Sequence, residues 1–592
     1  MEKDESLELF SKKAFKKDHP EDDYFVLSEI VVKYAGGIPL ALYVLGSLLC
    51  GRSLLEWEET LERMKHIPDK DIFQILKVSY LGLNDEEKTI FLDIACFFNG
   101  WKRDEVAQIL KNCDLHPTIG IYILIERALL IEKKTFNGET VLEVHDLLQE
   151  LARSIVFQES PGHVHGRSRL WNLEDIHEVL ENDKGSEAIQ AMALPFNLDR
   201  KIQVHRDAFS KMYNLRLLII SSEVKLHSGL KCFSSTLKVI RWRLYPLETL
   251  PIGTQLDKLV DIQMPFSKIK LCDGMQLMKK LKFIDLSNSK DLVETPDFSE
   301  IPNLEKLNLE GCSSLITVHH SLGELKKLVE VNLSCCTSLE ILPKILEMNS
   351  LIKLDISWCD KLSTLPEFGE CMKKLTVLDA RKTAITKLPE SLGFLSGLRD
   401  LNLRGPRKLV LQMSGFNLTS LTMLDLSYCG ISDGSIPDDL GSLSSLITLR
   451  LEGNDFANLP IGCFSNLFQL LHLYLNNCER LKSLPKLPPR LMQLYATGCD
   501  SMEPLSSDGM WNLLSSLDHE YRHQTNYEKR MLQSSQHNSC SELPPLRQGN
   551  FHGRTRGRRN VSSSSNRDSL RRREPNRQNL GRRDPLIAWW PI

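Results

Sequence analysis

Apolar residues in the second half of the chain fall into rows of one form, L-x-x-L-x-L-x-x-(C/N/T), starting at Leu281, Leu304, Leu328, Leu351, Leu375, Leu398, Leu421, Leu446, Leu470 and Leu491. Consecutive rows begin 21 to 25 residues apart, and weaker rows at Leu215, Leu237 and Leu259 bring the series to thirteen. Within the row Leu304, Leu307, Leu309 and Cys312, the alternation Leu307-Asn308-Leu309 predicts a short strand that buries both leucines and turns Asn308 outward. One such coil cannot cover its own leucines, so neighbours must stack, and their strands predict a parallel β-sheet bent into a horseshoe. Pro296, Pro343, Pro366, Pro389, Pro437, Pro460 and Pro485 recur after the strands, where a fixed φ and a missing donor discourage regular helix on the convex return.

The same register sorts the remaining positions. The ninth residue of a row lies inside the turn after the strand, near backbone groups that need partners; Cys312, Cys336, Cys359, Cys429, Cys478 and Cys499 occupy it, as does Asn454. These cysteines read as ladder residues and not as metal or redox centres, the more so because the chain has no C-x-x-C pair. The residue between the two strand leucines faces the concave side and runs Asp285, Asn308, Asn332, Asp355, Asp379, Asn402, Asp425, then Arg450, Tyr474 and Tyr495. Acid and amide side chains merely suit an exposed strand edge. The aromatic end differs: His472, Tyr474 and Tyr495 on successive coils offer the large amphipathic area enriched in interface hot spots, and are the candidate partner-binding residues.

Residues 6–160 carry helical spacing, as in Leu7, Phe10 and Ala14, then Leu27, Ile30, Val31 and Tyr34. The segment from Tyr34 through Gly36, Gly37, Ile38 and Pro39 to Leu42 predicts a helix stopping at the glycine pair and another starting with proline in its first turn. The run Phe91-Leu92-Asp93-Ile94-Ala95-Cys96-Phe97-Phe98 is apolar nearly all round and predicts a buried helix. A hairpin around Asn137-Gly138, then a helix opened by Val144-His145-Asp146, gives strand, turn, strand, helix: a winged helix. Glu159 to His163 is turn-rich and reads as a joint, leading into a helical stretch from Leu173 to Leu180.

Bulk properties narrow the function classes. Of the 592 residues 42% are hydrophobic and 26% charged, near globular averages, and a net charge of -3 is too small to draw the whole chain to nucleic acid or anionic lipid. No run approaches the roughly 20 apolar residues that span a bilayer. Glu2-Lys3-Asp4-Glu5 follows Met1 in place of an apolar signal core, so the expected location is the cytoplasm or the nucleus, with no membrane and with reduced cysteines. Carboxylates on the concave strands form a solvated column without a convergent base or nucleophile, which predicts no enzyme activity. Residues 547–583 stand apart: Arg556-Gly557-Arg558-Arg559 and Arg571-Arg572-Arg573 flank four serines among few apolar residues, the composition of a disordered, solvated tail, with nuclear import or nucleic-acid contact as the alternative reading there and nucleic acid not expected elsewhere.

Four motifs add up in order: Gly37-Ile38-Pro39-Leu40-Ala41-Leu42, the Phe91 to Phe98 run, Val144-His145-Asp146-Leu147-Leu148-Gln149-Glu150, and Arg167-Ser168-Arg169-Leu170-Trp171. Together they resemble plant intracellular nucleotide-binding leucine-rich-repeat disease resistance proteins of the class with an N-terminal Toll/interleukin-receptor domain, over roughly residues 6–500. Pattern and resemblance give an α+β chain: a helical remnant of a nucleotide-binding module over 1–66, a winged-helix domain over 67–160, a linker over 161–190, a leucine-rich-repeat solenoid over 191–505 and a basic, disordered tail over 506–592. The resemblance implies that Pro39 lies near the adenine and His145 near the phosphates of ADP, with Val144 where the family usually has methionine. The family's phosphate loop, G-x-x-x-x-G-K-(S/T), has no counterpart, since the chain contains no Gly-Lys dipeptide. ADP binding is therefore expected to be weak and ATP hydrolysis absent, and the chain is expected to be a truncated member without signalling domain or phosphate loop. The implied function is immune reception, in which the solenoid recognises a pathogen effector or a guarded host protein. The alternative is a truncated adaptor or regulator that pairs with a full-length resistance protein.

Overall fold

The computed structural model describes residues 2–65, 72–196, 202–226, 229–251, 256–271, 275, 278–406, 409–411, 418–436, 440 and 443–503. The tail over 506–592, with its arginine clusters, and Pro437 lie outside the described residues.

Helices fill the first third: α1 (Lys3–Ala14), α2 (Phe25–Ala35), α3 (Pro39–Leu49), α4 (Leu54–Lys65), α5 (Ile72–Leu81), α6 (Asp85–Asp93), α7 (Arg103–Asn112), α8 (Pro117–Glu126), α9 (Asp146–Glu159) and α10 (Leu173–Glu181). Their ends follow local chemistry. Gly36, at φ +63°, ends α2 in the left-handed conformation that glycine adopts freely, and Pro39 opens α3 where no N–H is needed. Asn84 and Glu87 cap the start of α6 reciprocally, each side chain accepting the other's backbone N–H. The first helices close on Phe10, Val31, Ala35, Leu45 and Trp57. The buried stripe of α2 is Ser28, Val31, Val32 and Ala35, so Ile30, expected to point inward, lies off the stripe and is 42% exposed.

A second core holds Phe91, Phe98, Ile109, Leu124 and Leu148. The Phe91 to Phe98 run is buried throughout, the helix widening to a π turn over Ile94–Phe98. Strands Ile131–Lys134 and Thr140–Glu143 pair antiparallel with Gly138 at φ +79° in the turn, and α9 follows, completing the predicted winged helix.

The solenoid is a parallel sheet of fifteen strands among the described residues. Thirteen match the thirteen rows, from Leu217–Ile220 to Gln493–Tyr495, and Arg169–Leu170 and Ala191–Leu194 precede them. The sheet thus starts inside the stretch read as a linker, with Leu170 paired to Met192. Register is kept from coil to coil: Leu307 lies between Ile284 and Val331. Leu307 and Leu309 are 2% and 1% exposed, and Asn308 faces outward between them. The convex side carries short parallel pairings, such as Ile345–Leu346 with Glu367–Phe368, and single 3-10 turns at His320–Glu324 and Glu390–Phe394.

The ladder cysteines act as thiol donors. Sγ of Cys312, Cys336, Cys359, Cys429, Cys478 and Cys499 donates to the strand-end carbonyl of the previous coil, on Leu286, Leu309, Leu333, Leu403, Leu451 and Leu475, at 3.0 to 3.3 Å. Asn454 donates to Leu426 at 2.9 Å and accepts the Cys429 and Ile431 amides. Burial pushes the Cys312, Cys359 and Cys429 thiols up to about 12, so they remain protonated.

From the strand Val239–Trp242 onward, each turn after a strand also passes through one left-handed residue: Leu244, Phe266, Asn288, Gly311, Cys335, Trp358, Lys382, Gly405, Tyr428, Gly453, Asn477 and Gly498, at φ between +55° and +106°. Where glycine stands in this column it makes room for its neighbour, since a Cβ on Gly453 would clash with the Tyr428 ring.

Candidate functional site

The winged helix closes the first part of the concave face. All four residues of the strand Leu217–Ile220 are buried, Leu218 and Ile220 in the solenoid core and Leu217 and Ile219 in the winged-helix core. Ala191 and Val239 of the flanking strands turn into the same seam. Ion pairs run along it: Arg169 Nε donates to Asp93 Oδ1 at 2.9 Å, Arg216 Nη2 to Asp93 Oδ2 at 2.6 Å, Arg241 Nη1 to Glu105 Oε1 at 2.6 Å and Lys238 Nζ to Asp114 Oδ2 at 2.5 Å. Two motifs that looked separate in the sequence, the Phe91 to Phe98 run and Arg167 to Trp171, therefore meet at Asp93. The seam extends to the strand Asp261–Gln263, where Asn112 Nδ2 lies 3.4 Å from Asp261 Oδ2.

Beyond it the outward positions line an open concave face. Their Asp and Asn column has a structural task. Oδ1 of Asp285, Asn308, Asn332, Asp355, Asp379, Asn402 and Asp425 each accepts the N–H two residues on, at 2.8 to 3.2 Å, fixing the chain as it leaves the strand. Crowding shifts their titration: burial, then the neighbouring Asp355 carboxylate, pushes Asp379 up to about 7, and burial with Asp425 pushes Asp400 up to about 6.

At the far end the predicted residues come together. His472 Nδ1 meets Gln493 Oε1 at 2.8 Å across paired strands, and the Tyr474 and Tyr495 rings stack with centroids 4.7 Å apart and planes 9° from parallel. Sequence reasoning missed the cations that join them. The Arg450 guanidinium lies 4.2 Å from the Tyr474 ring centre, and Arg404 lies 4.8 Å from that of Tyr428. Glu452 sits between, 3.7 Å from Arg450 and 3.9 Å from Arg404, and accepts Asn476 Nδ2 at 2.8 Å. Arg450 was visible in the concave row; Tyr428 owes its exposure to the left-handed turn, which no spacing announces.

Pro39 and His145 stand at the starts of two different helices. Pro39 is exposed at the first turn of α3, and His145 is the exposed N-cap of α9, its Nδ1 accepting the Leu147 N–H at 3.2 Å. Helix α5 packs against both α3 and α9. A cleft of about 530 Å³ beside α2 is bordered by Gly36 and Gly37 of the glycine pair, with Lys3, Glu29 and Lys33.

Residues 84–160 match the family model described as Disease resistance protein Roq1-like, winged-helix domain, and residues 420–443 match the model Leucine Rich Repeat. TMV resistance protein N of Nicotiana glutinosa is 34% identical over 567 residues, covering 83% of this chain and 49% of that protein. Disease resistance protein RUN1 of Vitis rotundifolia is 38% identical over 353 residues, 55% of this chain and 26% of that protein. Among solved structures, a leucine-rich-repeat protein of Leptospira interrogans aligns with 58% of this chain and 85% of that chain at 20% identity and a TM-score of 0.40. The chain spans about half the length of the first relative and about a quarter of the second. With a Roq1-like winged helix packed on a leucine-rich-repeat solenoid, and with 34% identity across both, the chain is similar to plant disease resistance proteins over these two modules.

Proposed function

We propose that the chain acts in plant defense as an innate immune receptor, or as part of one, whose solenoid recognises a pathogen effector or a guarded host protein. The observation that carries this reading is the division of the concave face: its first coils are closed by the winged helix, whereas among the described residues no second module covers its last coils, where His472, Tyr474 and Tyr495 gather beside Arg450. Side chains already stacked on one another lose little freedom on binding, so such a face suits a macromolecular partner. In this scheme residues 191–505 sense, and the modules over 1–66 and 67–160 respond through the shared seam. The proposed location is the cytoplasm or the nucleus; no described helix is long and apolar enough to cross a membrane.

The reading assigns the chain no catalysis. The concave aspartates serve as turn caps, and the residues implied for ADP do not make a nucleotide site by themselves. Pro39 is exposed, one ring nitrogen of His145 is committed to capping, and the sequence holds no Gly-Lys phosphate loop. Any ADP contact made by this chain is residual.

A second reading is an adaptor or regulator of a full-length resistance protein. Transient expression in leaf tissue separates the two. Cell death caused by the chain alone, and lost on Tyr474→Ala/Tyr495→Ala, supports reception. A changed response of a co-expressed full-length relative, with no effect of the chain alone, supports the adaptor. Neither effect in tissue where the protein accumulates refutes both.

A further inference from the structure

Around Arg404 and Arg450 the neighbouring acids lie deeper than the two arginines. The acids lie low: the Asp379 and Glu452 side chains are 16% and 13% exposed, and Asp425 is buried with its Oδ1 accepting the Ser427 N–H. The arginines stand above them, Arg404 at 39% and Arg450 at 31%. Burial also raises Asp379 and Asp400 toward neutral pH, which thins the negative charge of the floor.

The cations are under-matched. Among the described residues, one carboxylate, Glu452, is shared by both arginines at distances beyond hydrogen bonding, and Arg450 Nε is buried with no hydrogen-bond partner. Each guanidinium lies over a tyrosine ring, which fixes the direction of its N–H edge before any ligand arrives. A planar fork with unused donors is the complement of a carboxylate. One coil before Arg404, Lys382 lies 5.9 Å from the Trp358 ring centre, so the cationic ledge continues across the strands. The chain's own residues 547–583 carry arginine clusters of the same sign, so charge speaks against that stretch as the occupant.

Resting on the reading of the open face as a docking surface, we propose that it takes an acidic protein segment, with several Asp or Glu carboxylates held by Arg404 and Arg450 beside the Tyr474–Tyr495 stack. The segment runs across the coils, its carboxylates meeting the arginine edges and its apolar side chains resting on the tyrosines.

The test pans a randomised twelve-residue peptide display library on the immobilised full chain. Wild type should enrich peptides rich in Asp and Glu. Arg404→Gln/Arg450→Gln should weaken those peptides about tenfold or more, as loss of charge-assisted hydrogen bonds predicts. Arg404→Lys/Arg450→Lys, which keeps the charge and removes the fork, should fall between, and thermal melting checks that every variant folds. Enriched peptides that are not acidic but are lost on Tyr474→Ala/Tyr495→Ala would overturn the acidic proposal and leave the docking face standing. Peptides indifferent to all four positions would overturn both. Arginine-dependent binding of single-stranded DNA in place of acidic peptides also refutes the proposal.

Discussion

Replacing Asp93 by asparagine tests how the winged helix is held to the solenoid. The carboxylate is fully buried and receives Arg169 Nε at 2.9 Å and Arg216 Nη2 at 2.6 Å, from arginine side chains that are 4% and 13% exposed. Asparagine keeps the volume and one acceptor, so α6 still packs. It also turns an amide NH₂ toward one guanidinium and leaves two buried cations without a counter-charge. Removing one member of a buried ionic group costs about 3–5 kcal/mol, and the retained acceptor recovers about 1 kcal/mol, so the expected loss is about 2–4 kcal/mol. Urea denaturation should show it as a lower midpoint. Amide exchange should rise in Ile94–Phe98 and in α9, which pack beside the seam, while the remote strand Lys306–Asn308 stays unchanged. Asp85→Asn at the solvent-exposed start of the same helix is the control and should leave the midpoint where it is. A loss below about 1 kcal/mol, with exchange unaltered, refutes the assignment of Asp93 as the anchor of the seam.

Three further outcomes follow from the geometry. Leu307→Ala, at a side chain 2% exposed between two coils, should cost about 2–5 kcal/mol in denaturant unfolding, and a cost under 1 kcal/mol would contradict stacked coils. Asp379 holds a proton in the folded state up to about pH 7, whereas the unfolded chain releases it above 3.8, so the associated stability is complete below pH 3.8 and is lost as pH rises to 7. Asp379→Asn, whose oxygen can still accept the Arg381 N–H, should stabilise the protein at pH 8 by about 1–3 kcal/mol and flatten the profile, and an unchanged slope would count against the buried-acid reading. Titration calorimetry with ADP should find binding no tighter than about 1 μM, and tighter binding would overturn the account of Pro39 and His145.

The solenoid was legible because its physics repeats. The leucine rows state which side chains must be buried, and Cys312 could be placed by asking which backbone group needs a donor. Less legible was the strand Leu217–Ile220, an apolar run facing two cores at once, whose doubled burial comes from a domain more than a hundred residues earlier. Asp93 looked like an interruption in an apolar helix until Arg169 and Arg216 arrived from distant rows. The tyrosine pair was readable from register alone. The cation–aromatic pairing of Arg404 with Tyr428 was not, because it depends on a non-glycine residue held at φ +58°, a conformation imposed by stacked turns and not by local propensity.

The central claim is that recognition falls on the open, C-terminal part of the concave face. Hydrogen–deuterium exchange of the full chain with and without a peptide selected on it measures this most directly. The account predicts slowed exchange in the strands Asp400–Asn402 through Gln493–Tyr495 and the turns that follow them, with the strands Leu217–Ile220 and Val239–Trp242 unaffected. Protection confined to the convex pairings, such as Ile345–Leu346 with Glu367–Phe368, or to the winged-helix seam, would contradict it.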